Sequence, residues 1–223
     1  MTAITPADTH HPGADPHVLG RSGGHPAPGP GSDSGPASKR IIVGYGFWLF
    51  LLSDIIMFSA IFAAYAVLQG ATAGGPDGKQ LFSLSNAAIE TGCLLLSSFT
   101  CGLASIAATA KNQLWTQLAL LATGLLGFVF LSLELHEFAD MIAKGAGPQR
   151  SAFLSAFFAL VGCHGLHVSV GLLWLGTMMA QFWAKGFRAD ILRRMLCFSL
   201  FWHALDIIWV AILTIVYLMG AGR

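Results

Sequence analysis

Charged residues are scarce in this chain: only 10% of its 223 residues are Asp, Glu, Lys or Arg, where a soluble globular domain carries roughly 25%. So small a supply cannot clothe a water-facing surface. The hydrophobic content of 55% and the mean hydropathy of +0.67 point instead to a membrane protein. Net charge is +1, too little to attract nucleic acid or any strongly charged partner. Cys93, Cys101, Cys163 and Cys197 form no CxxC pair, and all fall inside apolar runs. That removes a disulfide framework or a zinc site and leaves four small buried hydrophobes. The start of the chain has no apolar core, so no signal peptide is expected there.

What the first 40 residues do hold is seven of the nine prolines and four of the eight histidines, among Gly, Ser and Asp. Such a stretch buries too little apolar surface to offset its ordering entropy. Residues 1–40 are therefore expected to be a disordered tail, with His10, His11, His17 and His25 solvated. From residue 41 the material changes. Five apolar segments lie at about 44–69, 84–110, 115–143, 151–184 and 190–219. Each exceeds the roughly 20 residues needed to cross a ~30 Å hydrocarbon core, and the fourth is long enough that it must tilt or project. The links between them are short, with Gly and Pro marking turns, and short links favour antiparallel neighbours. The expected fold is all-α, a polytopic membrane bundle of five transmembrane helices over residues 41–223. With the N-terminus inside, the inner face holds eight Lys and Arg and the outer face four. The positive-inside rule then predicts a cytoplasmic N-terminus and a periplasmic C-terminus.

Ionisable groups are costly in hydrocarbon and normally face the interior of a bundle. At 1.5 Å per residue, Glu90 and Glu137 come out about 10 Å toward the outer face. Asp54, His164, His167, His203 and Asp206 fall within about 5 Å of the midplane. His164 and His167, three residues apart, share one face of the fourth helix, and His203 and Asp206 repeat the spacing on the fifth. A neutral imidazole donating to a carboxylate or a backbone carbonyl satisfies both groups without water. Gly162, Gly165, Ser169 and Gly171 would let a neighbouring helix approach closely. A buried polar network through these seven residues is the expectation.

A metal reading fits less well. Four-helix di-metal sites use a Glu-x-x-His on each of two helices. This chain offers Glu90 alone, an ExxE at Glu134 and Glu137, an HxxH and an HxxD. The carboxylates also lie at another depth from the histidines, and CHGLH is not the CxxCH of covalent haem attachment. A proton path is the other functional reading, with Glu90 its best candidate. The plainer one is a carboxyl kept neutral by burial, or paired with His136 or a neighbouring helix.

Residues 44–220 resemble subunit III of the haem–copper terminal oxidases. The likeness lies in IETGCLLLSSFT around Glu90, ELHEF around Glu137, FFALVGCHGLHVSVGLLW and FWHALDIIWVAILTIVYLMG. HGLHV and WHxxD, in that order on consecutive helices, are its most specific part. Five helices rather than seven, with TAGGPDGKQLF after the first, resemble the quinol-oxidising, cytochrome bo-type branch. The resemblance implies a subunit of an oxygen-reducing, proton-pumping ubiquinol oxidase in a bacterial inner membrane. It also implies that the chain itself holds no haem or copper, these being carried by subunit I. Its partners are then subunit I, other subunits of the complex and membrane phospholipids, the lipids held in a cleft between helix groups. Its role is to support assembly, proton uptake and sustained turnover. Glu90 matches the family's buried acidic residue, and Glu137, His164, His167, His203 and Asp206 match parts of its polar interior. Cys163 before HGLH, and a tail richer in Pro and Gly, depart from the pattern. Two alternatives are a cytochrome c oxidase subunit III shortened at its start and a stand-alone di-metal membrane oxidase. No residue pattern here names the electron donor.

Overall fold

The structure, a computed structural model, describes residues 39–74 and 83–221. Its helices are α1 (Lys39–Leu68), α2 (Leu84–Thr109), α3 (Gln113–Ala143), α4 (Ala152–Lys185) and α5 (Ala189–Ile212). All five are long and apolar enough to cross a membrane, and the chain is a multi-pass, all-α membrane protein. Helix α1 begins at Lys39, two residues inside the expected tail. The remainder of that tail, residues 1–38, lies outside the described residues.

Each turn has a local cause. Ser83, Asn112 and Ser151 are the N-caps of α2, α3 and α4, and their side chains accept from the backbone N–H groups of Asn86, Trp115 and Leu154. These caps satisfy donors that a helix start leaves unpaired. Gly145 follows α3 with φ of +74° and Gly186 ends α4 with φ of +63°, a region open to glycine without a Cβ clash. The end of α5 departs from expectation. The chain widens there into a π-helix, Leu213–Leu218, before a last α turn, Met219–Ala221. Apolar patterning does not distinguish i→i+5 from i→i+4 pairing over six residues, because packing selects between them.

Helices α2, α3, α4 and α5 form a closed ring, each packed on the next, and α1 lies outside it against α4 and α5. The interior of the ring is filled mainly from α4 and α5. The Trp202 indole fits between Gly127 of α3 and Gly171 of α4, where an added Cβ would lie 2.9 Å and 3.0 Å from the ring. At Gly162 and Gly165 an added Cβ would meet Phe138 and Leu131 at 3.7 Å, an ordinary contact. On α4 it is Gly171, then, that admits a large side chain from a neighbouring helix. Outward faces carry Ile56, Val67, Phe128, Leu173 and Trp183, all exposed, as lipid contact requires.

Candidate functional site

Two polar regions lie at different depths. The first is near the C-terminal end of the bundle. Glu90 of α2 is 1% exposed and Glu134 of α3 is 3% exposed, and Glu137 follows one turn later on the same face. Each has one buried oxygen without a hydrogen-bond partner: Oε2 of Glu90, Oε2 of Glu134 and Oε1 of Glu137. The three carboxyls are close enough to act on one another electrostatically. The π-helix brings the Tyr217 hydroxyl to Glu137. Beside them is a cavity of about 360 Å³, lined by Glu90 and Glu137 together with Ser83, Asn86, His136, Asp140 and Lys144. His136 does not pair with Glu90. Its Nε2 lies 3.8 Å from Asp140 Oδ2, on the exposed side of α3.

The second region is at mid-membrane, and it is aromatic rather than hydrogen-bonded. His164 is 0% exposed. Its ring lies 5.2 Å from Trp209, 5.7 Å from Phe130 and 6.5 Å from Phe58, centroid to centroid. Neither of its nitrogens has a hydrogen-bond partner. His167 turns back along its own helix, with Nδ1 2.7 Å from the Cys163 carbonyl oxygen, and packs against Phe58. Asp54, half-buried on α1, lies near Cys163. His203 and Asp206 are half-buried on another flank, where Asp206 faces Ser98 of α2. Oδ1 of Asp206 is buried without a partner.

Among the described residues no hydrogen bond joins any two of Asp54, His164, His167, His203 and Asp206. The expected pairing of His203 with Asp206 is not formed. Spacing places both on one side of α5, close enough to act on each other electrostatically, but no hydrogen bond joins them. Apart from the contact of Tyr217 with Glu137, several cross-helix bonds come from residues the sequence reading passed over. Trp202 Nε1 donates to Ser97 Oγ at 3.0 Å and Trp209 Nε1 to Thr91 Oγ1 at 3.0 Å, tying α5 to α2. Thr100 and Thr123 meet at 2.8 Å between α2 and α3, and Gln117 Nε2 reaches the Met179 carbonyl at 2.9 Å. A signal for the first pair was present. Trp202 and Trp209, seven apart, share a helix face, and a buried indole N–H usually finds an acceptor.

Among the described residues no three His, Cys, Asp or Glu side chains gather to hold a metal ion. The ligand set of a di-metal centre is split between the carboxyl region and the aromatic one. What the arrangement offers chemically is a carboxyl-lined cavity at one end and a ring-packed centre.

Residues 37–221 match the family model described as cytochrome c oxidase subunit III. The chain is 50% identical over 210 residues to the cytochrome bo(3) ubiquinol oxidase subunit 3 of Pseudomonas aeruginosa, covering 93% of this chain and 95% of that one. It is 49% identical over 175 residues to the protein of the same name from Pseudomonas putida, covering 78% and 84%. Quinol oxidase subunit 3 of Bacillus subtilis is 40% identical over 177 residues, covering 79% and 87%. With nearly all of its membrane domain matched, this chain belongs to the cytochrome c oxidase subunit III family.

Proposed function

We propose that this chain is subunit III of a quinol-oxidising haem–copper oxidase, a complex that reduces oxygen and pumps protons across a bacterial plasma membrane. The observation that carries the reading is 50% identity to a ubiquinol oxidase subunit 3 along 95% of that protein's length. In this reading the chain has no catalytic centre of its own. Haem and copper reside in subunit I, and the bundle supports assembly, phospholipid binding and proton uptake of that subunit. The side chains agree with such a role: His164 is enclosed by rings, and the carboxyls stand apart from it in another layer. Its N-terminus is cytoplasmic and its C-terminus periplasmic, the orientation favoured by Lys and Arg placement.

The test is purification from native membranes through a tag on this chain. A complex that oxidises ubiquinol and carries haem and copper is expected. The chain expressed alone should hold far less than one iron or copper per polypeptide. Stoichiometric metal on the isolated chain would overturn the subunit reading, and oxidation of cytochrome c but not quinol would overturn the choice of donor.

A further inference from the structure

We propose that the cavity between α2 and α3 is a binding site for a primary ammonium group, held by Glu90 and Glu137. Its volume of about 360 Å³ far exceeds the roughly 15 Å³ that one water needs. Its lining runs from exposed to buried: Asn86, Asp140 and Lys144 are exposed at the mouth, Glu137 is half-buried, and Glu90 is buried. Glu90 stands about 9 Å from the start of α2, and Lys144 is the C-cap of α3. The cavity therefore leads inward from helix ends. Oε2 of Glu90 and Oε1 of Glu137 are buried without a hydrogen-bond partner, although Tyr217 meets Glu137. The two carboxyls are close enough to act on each other electrostatically. Buried carboxyls are costly unless a donor or a counter-charge meets them. Lys144 lines the same cavity, but among the described residues it makes no ion pair with Glu90, Glu137 or Asp140.

The lining also selects among cations. A divalent metal needs several oxygens within about 2.6 Å of one point, and among the described residues no such group gathers. An ammonium carried on an arm reaches oxygens set farther apart, through N–H bonds of about 2.8 Å. A quaternary ammonium has no N–H to give. It is recognised by aromatic cages, and among the described residues no Phe, Tyr or Trp lines this cavity. Three carboxyls face one lysine there, and Lys144 at the mouth suits a phosphate on the same arm. Two sources carry this chemistry, the headgroup of phosphatidylethanolamine and a free small amine. With the lipid as source, the proposal deepens the phospholipid binding of the reading above; with the amine it stands apart from that reading.

The test uses the purified complex that carries this chain, washed free of native lipid. Photoactivatable phosphatidylethanolamine should label residues 83–90 and 133–144 at least five times more than its phosphatidylcholine analogue. Isotope-labelled ethanolamine is the free-amine probe, and its retention without a lipid preference would assign the free amine. The double variant Glu90→Gln, Glu137→Gln should lower the observed binding at least five-fold. Asn86→Trp, which narrows the mouth from an exposed position and leaves both carboxyls in place, should do the same and decides the matter if the double variant fails to fold. Equal labelling by both lipids with no ethanolamine retained, or binding indifferent to Asn86→Trp, would overturn the proposal and leave the oxidase reading standing. Wild-type chain that binds the probe but purifies without any haem protein would overturn the oxidase reading and leave the ammonium site.

Discussion

The two polar regions contain residues that look alike in sequence, ionisable groups three residues apart on apolar helices, yet their surroundings are opposite. Beside Glu90 and Glu137 a cavity of about 360 Å³ stands open, with Ser83, Asn86, Asp140 and Lys144 among the residues lining it, and Tyr217 leans in from a π-helix. Around His164 there is no polar neighbour to bond, only Phe58, Phe130 and Trp209. A polar side chain inside a membrane bundle is therefore not of itself a network member. At the cavity end, polarity invites water and charge, whereas at the centre an imidazole serves as a flat ring among rings. The bonds that hold the centre together run from indole N–H groups to Ser97 and Thr91.

The contrast can be broken most sharply at Trp209. Trp209→Ala removes one wall of the His164 cage and the bond to Thr91, and should cost about 3–5 kcal/mol. Thermal unfolding in detergent would report it, and a negligible loss would mean that the centre is not packed as described. Next is Gly127→Val, which drives a side chain into Trp202 and should destabilise by about 1–3 kcal/mol. Gly92→Val, where nothing lies within 4 Å, should leave the melting point unchanged. A smaller effect is expected of His164→Phe. It keeps a ring and discards two unpartnered nitrogens, so the change should stay below about 1.5 kcal/mol, with haem spectra of the complex intact. A collapse of assembly in that variant would restore a bonding role for the imidazole.

At the cavity end, Glu90→Gln keeps shape and polarity and should alter neither oxygen consumption nor proton pumping, measured together in reconstituted vesicles. Pumping lost while oxygen consumption continues would make Glu90 a step in the proton path. The smallest effect belongs to the tail. Deleting residues 1–35, a Pro- and Gly-rich stretch outside the described residues, should leave oxidase activity nearly unchanged, and failure of the complex to assemble would contradict that.

Helix number and the bounds of α2 to α4 were legible because each depends on local chemistry. Twenty apolar residues cross the hydrocarbon core whatever lies beside them. Ser83, Asn112 and Ser151 could likewise be read as helix starts, since a cap acts within three residues of itself. The buried place of Glu90 was expected from the cost of an ionisable group in hydrocarbon.

Azimuth was not legible in the same way. His164 and His167 share a spacing, but one points into a cage of rings and the other bonds its own helix, and the direction each takes depends on which helix lies alongside. The π-helix at 213–218 and the seating of Trp202 between two glycines depend likewise on contacts between residues far apart in the chain. By itself the sequence determined a five-helix membrane protein of a recognisable family, with the order of its polar residues along each helix. Only the tertiary structure decided which of those residues meet, because periodicity orders side chains around one helix axis and carries no record of the neighbour each face will find.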